Sequence, residues 1–427
     1  MSNQSRTVKP RPPIAFKTSA VERFMRYVTF DTEADESSTT SPSSAKQWDL
    51  LRALADDLRE LGCAEVELLE HGYVFATIPA SPGLEHVPTI GFIAHVDTSP
   101  EMSGANVKPI LHPNYQGQDI VLPDDPTAVL RPPEHPYLLE HLGCDIITAS
   151  GLSLLGADNK AGVAEIVGAA EYLLANPQVR HGRIRIAFTP DEEIGRGADH
   201  FDVARFGAYC AYTMDGSRNG ELEIESFSAD AMTVTFQGFN CHPGWAKDRM
   251  INSIKIAADF IHRLPRHSDS PETTEDFEGY VHPNAMEASV DRTTVRFLIR
   301  DFVTANLAVR EQALRELAEQ TVRDYPGATV TTKVTETYRN MREVLDHTPD
   351  VVENAREALR RAGFEPTGQA IRGGTDGSRL SFMGLPTPNI FAGEQAIHSR
   401  LEWVSTYDIH KAVEVIVHLA RIFVERA

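Results

Sequence analysis

His95 with Asp97, Asp158, the pair Glu192–Glu193, Asp215 and His398 are the residues whose types and settings could do chemistry together. Imidazoles and carboxylates without a thiolate form the nitrogen and oxygen donor set that zinc accepts. A pair of zinc ions ~3.5–4 Å apart needs one bridging carboxylate and donors on both flanks. Two histidines and three carboxylates would supply that set. Three carboxylates and one bridging hydroxide also balance the charge of two Zn2+ ions. Taken singly, each residue has a plainer reading. His95 suits a hydrogen-bonded core histidine, and Asp97 suits a turn. Asp158 or Asn159 suits the N-cap of the helix that follows. Asp191 to Glu193 suit a solvated turn, Asp215–Gly216 a turn dipeptide, and His398 a surface position.

The elements that must position these residues favour the joint reading. TIGFIA (89–94) is a continuous apolar run of the kind buried central strands show, and it ends in His95–Val96–Asp97–Thr98. RIRIAF (183–188) ends in Thr189–Pro190–Asp191–Glu192–Glu193, and the run from Tyr209 to Met214 ends at Asp215–Gly216. Leu154–Leu155–Gly156–Ala157 leads into Asp158 and a helix predicted over 161–174. Two earlier helices are predicted over 20–29 and 48–61, the second with Leu50, Leu51, Leu54 and Leu58 on one face and Gly62 as its stop. Strands alternating with helices predict an α/β fold with a central sheet. Ligands of such sheets sit beyond the carboxyl ends of the strands, where these residues fall.

The pattern changes near Phe227. From there the chain reads β-α-β-β-α-β, the split βαβ arrangement of a small ferredoxin-like α+β domain. The expected organisation is a catalytic domain over 1–226 and 339–427, interrupted by an inserted lid domain over 227–338. Residues 1–19 are polar, carry Pro12 and Pro13, and are expected to be a disordered tail.

Composition narrows the function. The chain has 427 residues, 41% hydrophobic and 24% charged, which fits a globular protein of two or three domains. Its formal net charge of −20 repels phosphate backbones and anionic lipid, which argues against nucleic acid and membrane as partners. No apolar run is long enough for a membrane span, and the N-terminus lacks the apolar segment of a secretory signal. Cys63, Cys144, Cys210 and Cys241 form no CxxC pair. They are expected to be reduced thiols in a cytoplasmic protein.

Seven segments in order give a family resemblance: AHVDT (94–98), LLGADNKAG (154–162), FTPDEEIG (188–195), MDG (214–216), GFNCHPG (238–244), IRDF (299–302) and IRGGTDGSRLS (371–381). The sequence resembles the peptidase T family of tripeptide aminopeptidases, within the two-zinc hydrolase superfamily that includes carboxypeptidase G2 and the aminoacylases. The resemblance runs from about Val21 to about Val424. It implies two Zn2+ ions, with His95 and Asp215 on one, Glu193 and His398 on the other, and Asp158 bridging. It implies Glu192 as general base and Asp97 as the residue that orients His95. His242 would be an oxyanion donor from the inserted domain, and Asn240, Arg300 and Arg372 would bind substrate. The implied partner is a short peptide, and a homodimer is an arrangement found in the superfamily. The chain departs from the family pattern at Asn159, where Asp is usual. It departs again around His398, where Ile397–His398–Ser399–Arg400–Leu401–Glu402 replaces roughly F-H-G-K-H-E. That second departure keeps open a related two-zinc carboxypeptidase, dipeptidase or N-acyl amino acid deacylase. A peptide-binding member without turnover is a more distant alternative.

Overall fold

A computed structural model describes residues 11–427. The chain divides into two compact units. One takes the chain up to Ile224 together with Val344–Gln369 and Thr375–Ala427; the other takes Glu225–Glu343 and Ala370–Gly374. The boundaries expected at 227 and 338 lie inside the span of the second unit.

In the first unit, among the described residues, seven strands form a mixed central sheet. Their order is Ala64–Leu68, Val74–Ile78, Ile184–Thr189, Ile90–His95, Cys210–Gly216, Asn389–Phe391 and Leu222–Glu223. The four strands from Ile184–Thr189 to Asn389–Phe391 run parallel, and the outer pairings are antiparallel. Ile90–His95 and Ile184–Thr189 are buried along their whole length, which is why both read as unbroken apolar runs ending in polar residues. The register pairs His95 with Thr189. The segments carrying Asp97 and Glu192–Glu193 therefore leave the sheet side by side.

Helix Ala157–Ala175 lies against strands Ile90–His95 and Cys210–Gly216 and against helices Ala20–Tyr27 and Thr406–Glu425. Packed on several sides, it is apolar around most of its circumference, as a central helix must be. Its first turn is irregular: Asp158 and Asn159 have non-helical backbone angles, and the Asn159 Oδ1 accepts the Gly162 N–H at 3.2 Å. The capping role falls to Asn159, leaving the Asp158 side chain free for the site. Gly162 meets the sheet closely, since a Cβ there would run into the Met214 carbonyl oxygen.

The expected tail needs correcting. Residues 1–10 lie outside the described residues, but 11–19 pack on the first unit. The Arg11 guanidinium donates to the Leu142 carbonyl and to Cys144 Sγ. The Tyr407 hydroxyl donates to the Pro12 carbonyl at 2.9 Å, and Phe16 stacks on Tyr172 with ring centroids 3.8 Å apart. Ring stacking and satisfied carbonyls hold a segment whose polar composition alone suggests a loose end.

The second unit has strands Ser228–Gln237, Tyr280–Ala288, Arg292–Asp301 and Thr329–Tyr338 and helices Ser253–Arg263 and Thr304–Arg323. The strands are all antiparallel, in the order 280–288, 292–301, 228–237 and 329–338. This is the ferredoxin-like arrangement, cored by Met232, Val234, Phe236, Phe260, Phe297 and Ile299. Ala370–Gly374 joins it through a short parallel pairing of Glu225 with Ala370 and Ser226 with Ile371. Among the described residues, no helix is long and apolar enough to cross a membrane.

Gly162→Ala is expected to destabilise the first unit by about 2 kcal/mol, the scale of overpacking a tight contact. Chemical denaturation of the two proteins checks this.

Candidate metal centre

The strand ends at His95 and Asp215, the turn after Thr189, the start of helix Ala157–Ala175 and the loop at His398 bring their side chains to one place. His95 closes its strand and is 3% exposed. Its Nε2 lies 3.0 Å from Asp158 Oδ1 and 3.4 Å from Asp215 Oδ1. Its Nδ1 lies 3.2 Å from both the Asp97 carbonyl oxygen and Asp97 Oδ1. Asp97 is fully buried and also accepts the backbone N–H groups of Glu192 and Glu193, at 3.1 Å each. One carboxylate thus orients the His95 ring and fixes the turn that carries the paired glutamates. His398 completes the group. Its Nε2 lies 2.9 Å from Glu193 Oε2 and 3.3 Å from Asp158 Oδ2, and its Nδ1 lies 3.0 Å from Glu101 Oε2.

The result is two sets of three donors that share one residue. His95, Asp158 and Asp215 form one, and Asp158, Glu193 and His398 form the other; either could hold a metal ion. Among the described residues, Glu193 Oε1 and Asp215 Oδ1 are buried without a hydrogen-bond partner. All four cysteines are free and none enters these sets. Buried acceptors left open, imidazole nitrogens and absent thiolates fit a hard or borderline divalent cation.

The electrostatics agree. Burial pushes Glu193 up to about 8, with Asp158 adding and His398 opposing. Burial also raises Glu192 well above the carboxylate range; His95 opposes, and Asp215, Asp376 and Glu193 add. Asp158 goes the other way, because hydrogen bonds from His398 and His95 overcome the cost of burial. The bonds of His398 to Asp158 and Glu193 push its imidazole up to about 11. Divalent cations would favour the charged form of these carboxylates.

Three further carboxylates surround the centre and carried no assignment from the sequence. Glu402 accepts the N–H groups of Leu155, Gly156 and Asp158 at 2.7, 2.8 and 3.0 Å, clamping the loop that presents Asp158. Its signal is its place four residues after His398. Asp376 accepts the Thr189 hydroxyl at 2.9 Å and lies within IRGGTDGSRLS. Glu394 is buried and follows strand Asn389–Phe391; nothing local in the sequence singles it out.

The remaining candidates belong to the second unit. His242 is exposed, its Nδ1 accepts the Gly244 N–H at 3.1 Å, and its ring lies 4.6 Å from that of Trp245. Asn240 is exposed. Arg300 donates to the Arg372 carbonyl at 3.3 Å and has a buried Nε without a hydrogen-bond partner among the described residues. Arg372 donates to the carbonyls of Asp276 and Glu278 at 2.7 and 2.8 Å and to Thr274 Oγ1 at 3.0 Å. Its guanidinium is therefore largely occupied in holding the 274–278 loop.

Residues 156–422 match the model of peptidase family M20/M25/M40. That span opens just before Asp158 and includes Glu193, Asp215 and His398. The chain belongs to this family. It is a metallopeptidase, and its nearly full length aligns with relatives named peptidase T. The peptidase T of Geobacillus kaustophilus is 46% identical over 411 residues, 96% of this chain and all of the relative. Two solved structures share the fold. The aminopeptidase PepT of Bacillus cereus superposes with a TM-score of 0.73 at 23% identity, over 95% of this chain and 98% of that one. The Bacillus subtilis protein YXEP, a dinuclear metal-binding M20 peptidase, gives a TM-score of 0.65 at 16% identity, over 96% and 98% of the two chains. The expected mixed sheet flanked by helices, with a second α+β unit, is the fold of this metallopeptidase.

The Glu402 clamp sets the position of Asp158. Glu402→Ala would leave three buried N–H groups open and is expected to weaken metal binding by roughly 10- to 100-fold, with a loss of at least about 2 kcal/mol of stability. Metal titration and denaturation of the metal-free protein measure the two effects separately.

Proposed function

We propose that this metallopeptidase removes the N-terminal residue from tripeptides, with two zinc ions as cofactor and Glu192 as general base. The observation that carries the reading is the pair of donor triads sharing Asp158. His95 and Asp215 would hold one ion, Glu193 and His398 the other, and Asp158 both. Such ions would supply a lowered pKa for a bound water and polarisation of the scissile carbonyl.

The protein's own groups do the rest. Glu192 is held at its backbone by Asp97. Burial and its acidic neighbours raise its proton affinity. That suits a group which takes a proton from water and returns it to the leaving amine. Asp97 keeps the His95 ring in one orientation through Nδ1, which leaves Nε2 turned toward Asp158 and Asp215. From the second unit, the GFNCHPG segment supports His242 as a donor to the developing oxyanion and Asn240 as a substrate contact. The open Nε of Arg300 supports a grip on the peptide's C-terminal carboxylate. Arg372 enters as the residue whose carbonyl holds Arg300 and whose guanidinium holds the adjoining loop. Free thiols support a reducing, cytoplasmic setting, where the product would feed peptide catabolism. Homodimer formation is also part of this proposal, on the superfamily resemblance alone.

The test is a substrate panel on metal-replete enzyme: a free tripeptide, its N-acetylated form, and the matching di- and tetrapeptides. Release of only the N-terminal residue from the free tripeptide, abolished by a chelator, is expected. Cleavage of the acetylated compound instead would move the enzyme to the deacylase or carboxypeptidase reading. Glu192→Gln is expected to lower kcat by ~10²-fold or more while elemental analysis still finds two metal ions; turnover equal to wild type would remove Glu192 from its role.

A further inference from the structure

One buried carboxylate near the metal centre has no place in the ligand set. Glu394 is 2% exposed, and its Oε2 has no hydrogen-bond partner among the described residues. It follows strand Asn389–Phe391, which is the sheet neighbour of the strand that ends in Asp215–Gly216. Its flanks are tied to the residues just after Asp215. The Gly393 N–H donates to the Gly216 carbonyl at 3.0 Å, and Gln395 Nε2 donates to the Ser217 carbonyl at 2.5 Å. Gln395 and Trp403 also exchange backbone hydrogen bonds at 3.0 Å each. A fixed loop therefore holds this carboxyl group in place without giving Oε2 a partner. Burial, then Asp158 and Asp215, push its proton affinity well up, and His95 acts the other way.

A buried carboxyl oxygen without a partner is costly, and the cost falls when a cation arrives. The metal ions are not the natural partner. The carboxylates of the two triads and one hydroxide already balance two divalent ions, so the ions do not need Glu394. A free peptide N-terminus brings one positive charge, and in an aminopeptidase it lies on the residue beside the scissile bond. We propose that Glu394 receives the α-ammonium group of the substrate and makes this centre selective for peptides with a free N-terminus. The inference rests on the aminopeptidase reading above.

The experiment uses the metal-replete full chain and its Glu394→Gln variant. Binding of leucine hydroxamate and of its des-amino analogue is measured by calorimetry beside metal content, thermal stability and tripeptide turnover. Wild type is expected to bind the amino form roughly 10- to 100-fold more tightly, the scale of a charged hydrogen bond. Glu394→Gln is expected to lose that preference, to raise KM for the free tripeptide more than it lowers kcat, and to keep two metal ions. Because it keeps the shape of a side chain whose Oε2 has no hydrogen-bond partner among the described residues, the variant should fold and melt no lower than wild type. An unchanged preference for the amino form overturns the proposal. Loss of a metal ion overturns it too, by making Glu394 a ligand, and a destabilised or unfolded variant overturns it by showing a structural partner. Failure of the aminopeptidase reading is seen separately, as wild-type enzyme that releases no N-terminal residue from the tripeptide.

Discussion

Crowding of carboxylates away from water at one edge of a sheet is the constraint on which this structure turns. Asp158, Glu192, Glu193 and Asp215 meet there, with two histidines as the nearest counter-charges. Such a group is unfavourable as a bare set of charges. Two shared-donor triads convert the problem into a binding site, because buried carboxylates that are costly to charge alone attract divalent cations. Metal dependence is thus built into the folding electrostatics of the first unit.

Backbone N–H groups make the crowding tolerable. Asp97 takes two from the Glu192–Glu193 turn, and Glu402 takes three from the loop before Asp158. These two acids serve as anchors, with oriented backbone N–H groups as their partners. The contrast with Glu394 is instructive. It is equally buried, but among the described residues its Oε2 has no donor, so it is left to answer a charge that arrives from outside.

The second unit works by a different economy of contacts. It is a self-contained four-stranded sheet with two helices on an apolar core, and its polar candidates sit at strand ends and turns. Arg372 illustrates how a resemblance and a structure divide the work of assigning roles. Its motif marks it as a substrate group, while its hydrogen bonds show a guanidinium engaged with the loop beside Arg300. The short strip that carries it, Ala370–Gly374, belongs to this unit although the residues on either side belong to the other.

By itself the sequence determined the alternation of strands and helices, the change of character near Phe227, and the strand ends that present His95, Glu192–Glu193 and Asp215. These are short-range properties: runs of apolar residues, helical spacing and the polar residues that stop them. Ordered motifs also pointed to a family, because motif order survives when distance along the chain is large, and the resemblance implied His398 although its flanking residues differ. Only the tertiary structure decided that Asn159 caps the helix and so frees Asp158. It alone revealed Glu402 as the clamp and the packing of residues 11–19. It alone brought Glu394 to the centre. Each of these depends on contacts between segments far apart in the chain, such as Glu402 with Leu155 or Arg11 with Cys144. Residue type and local spacing carry no record of which distant N–H group or ring will be the partner.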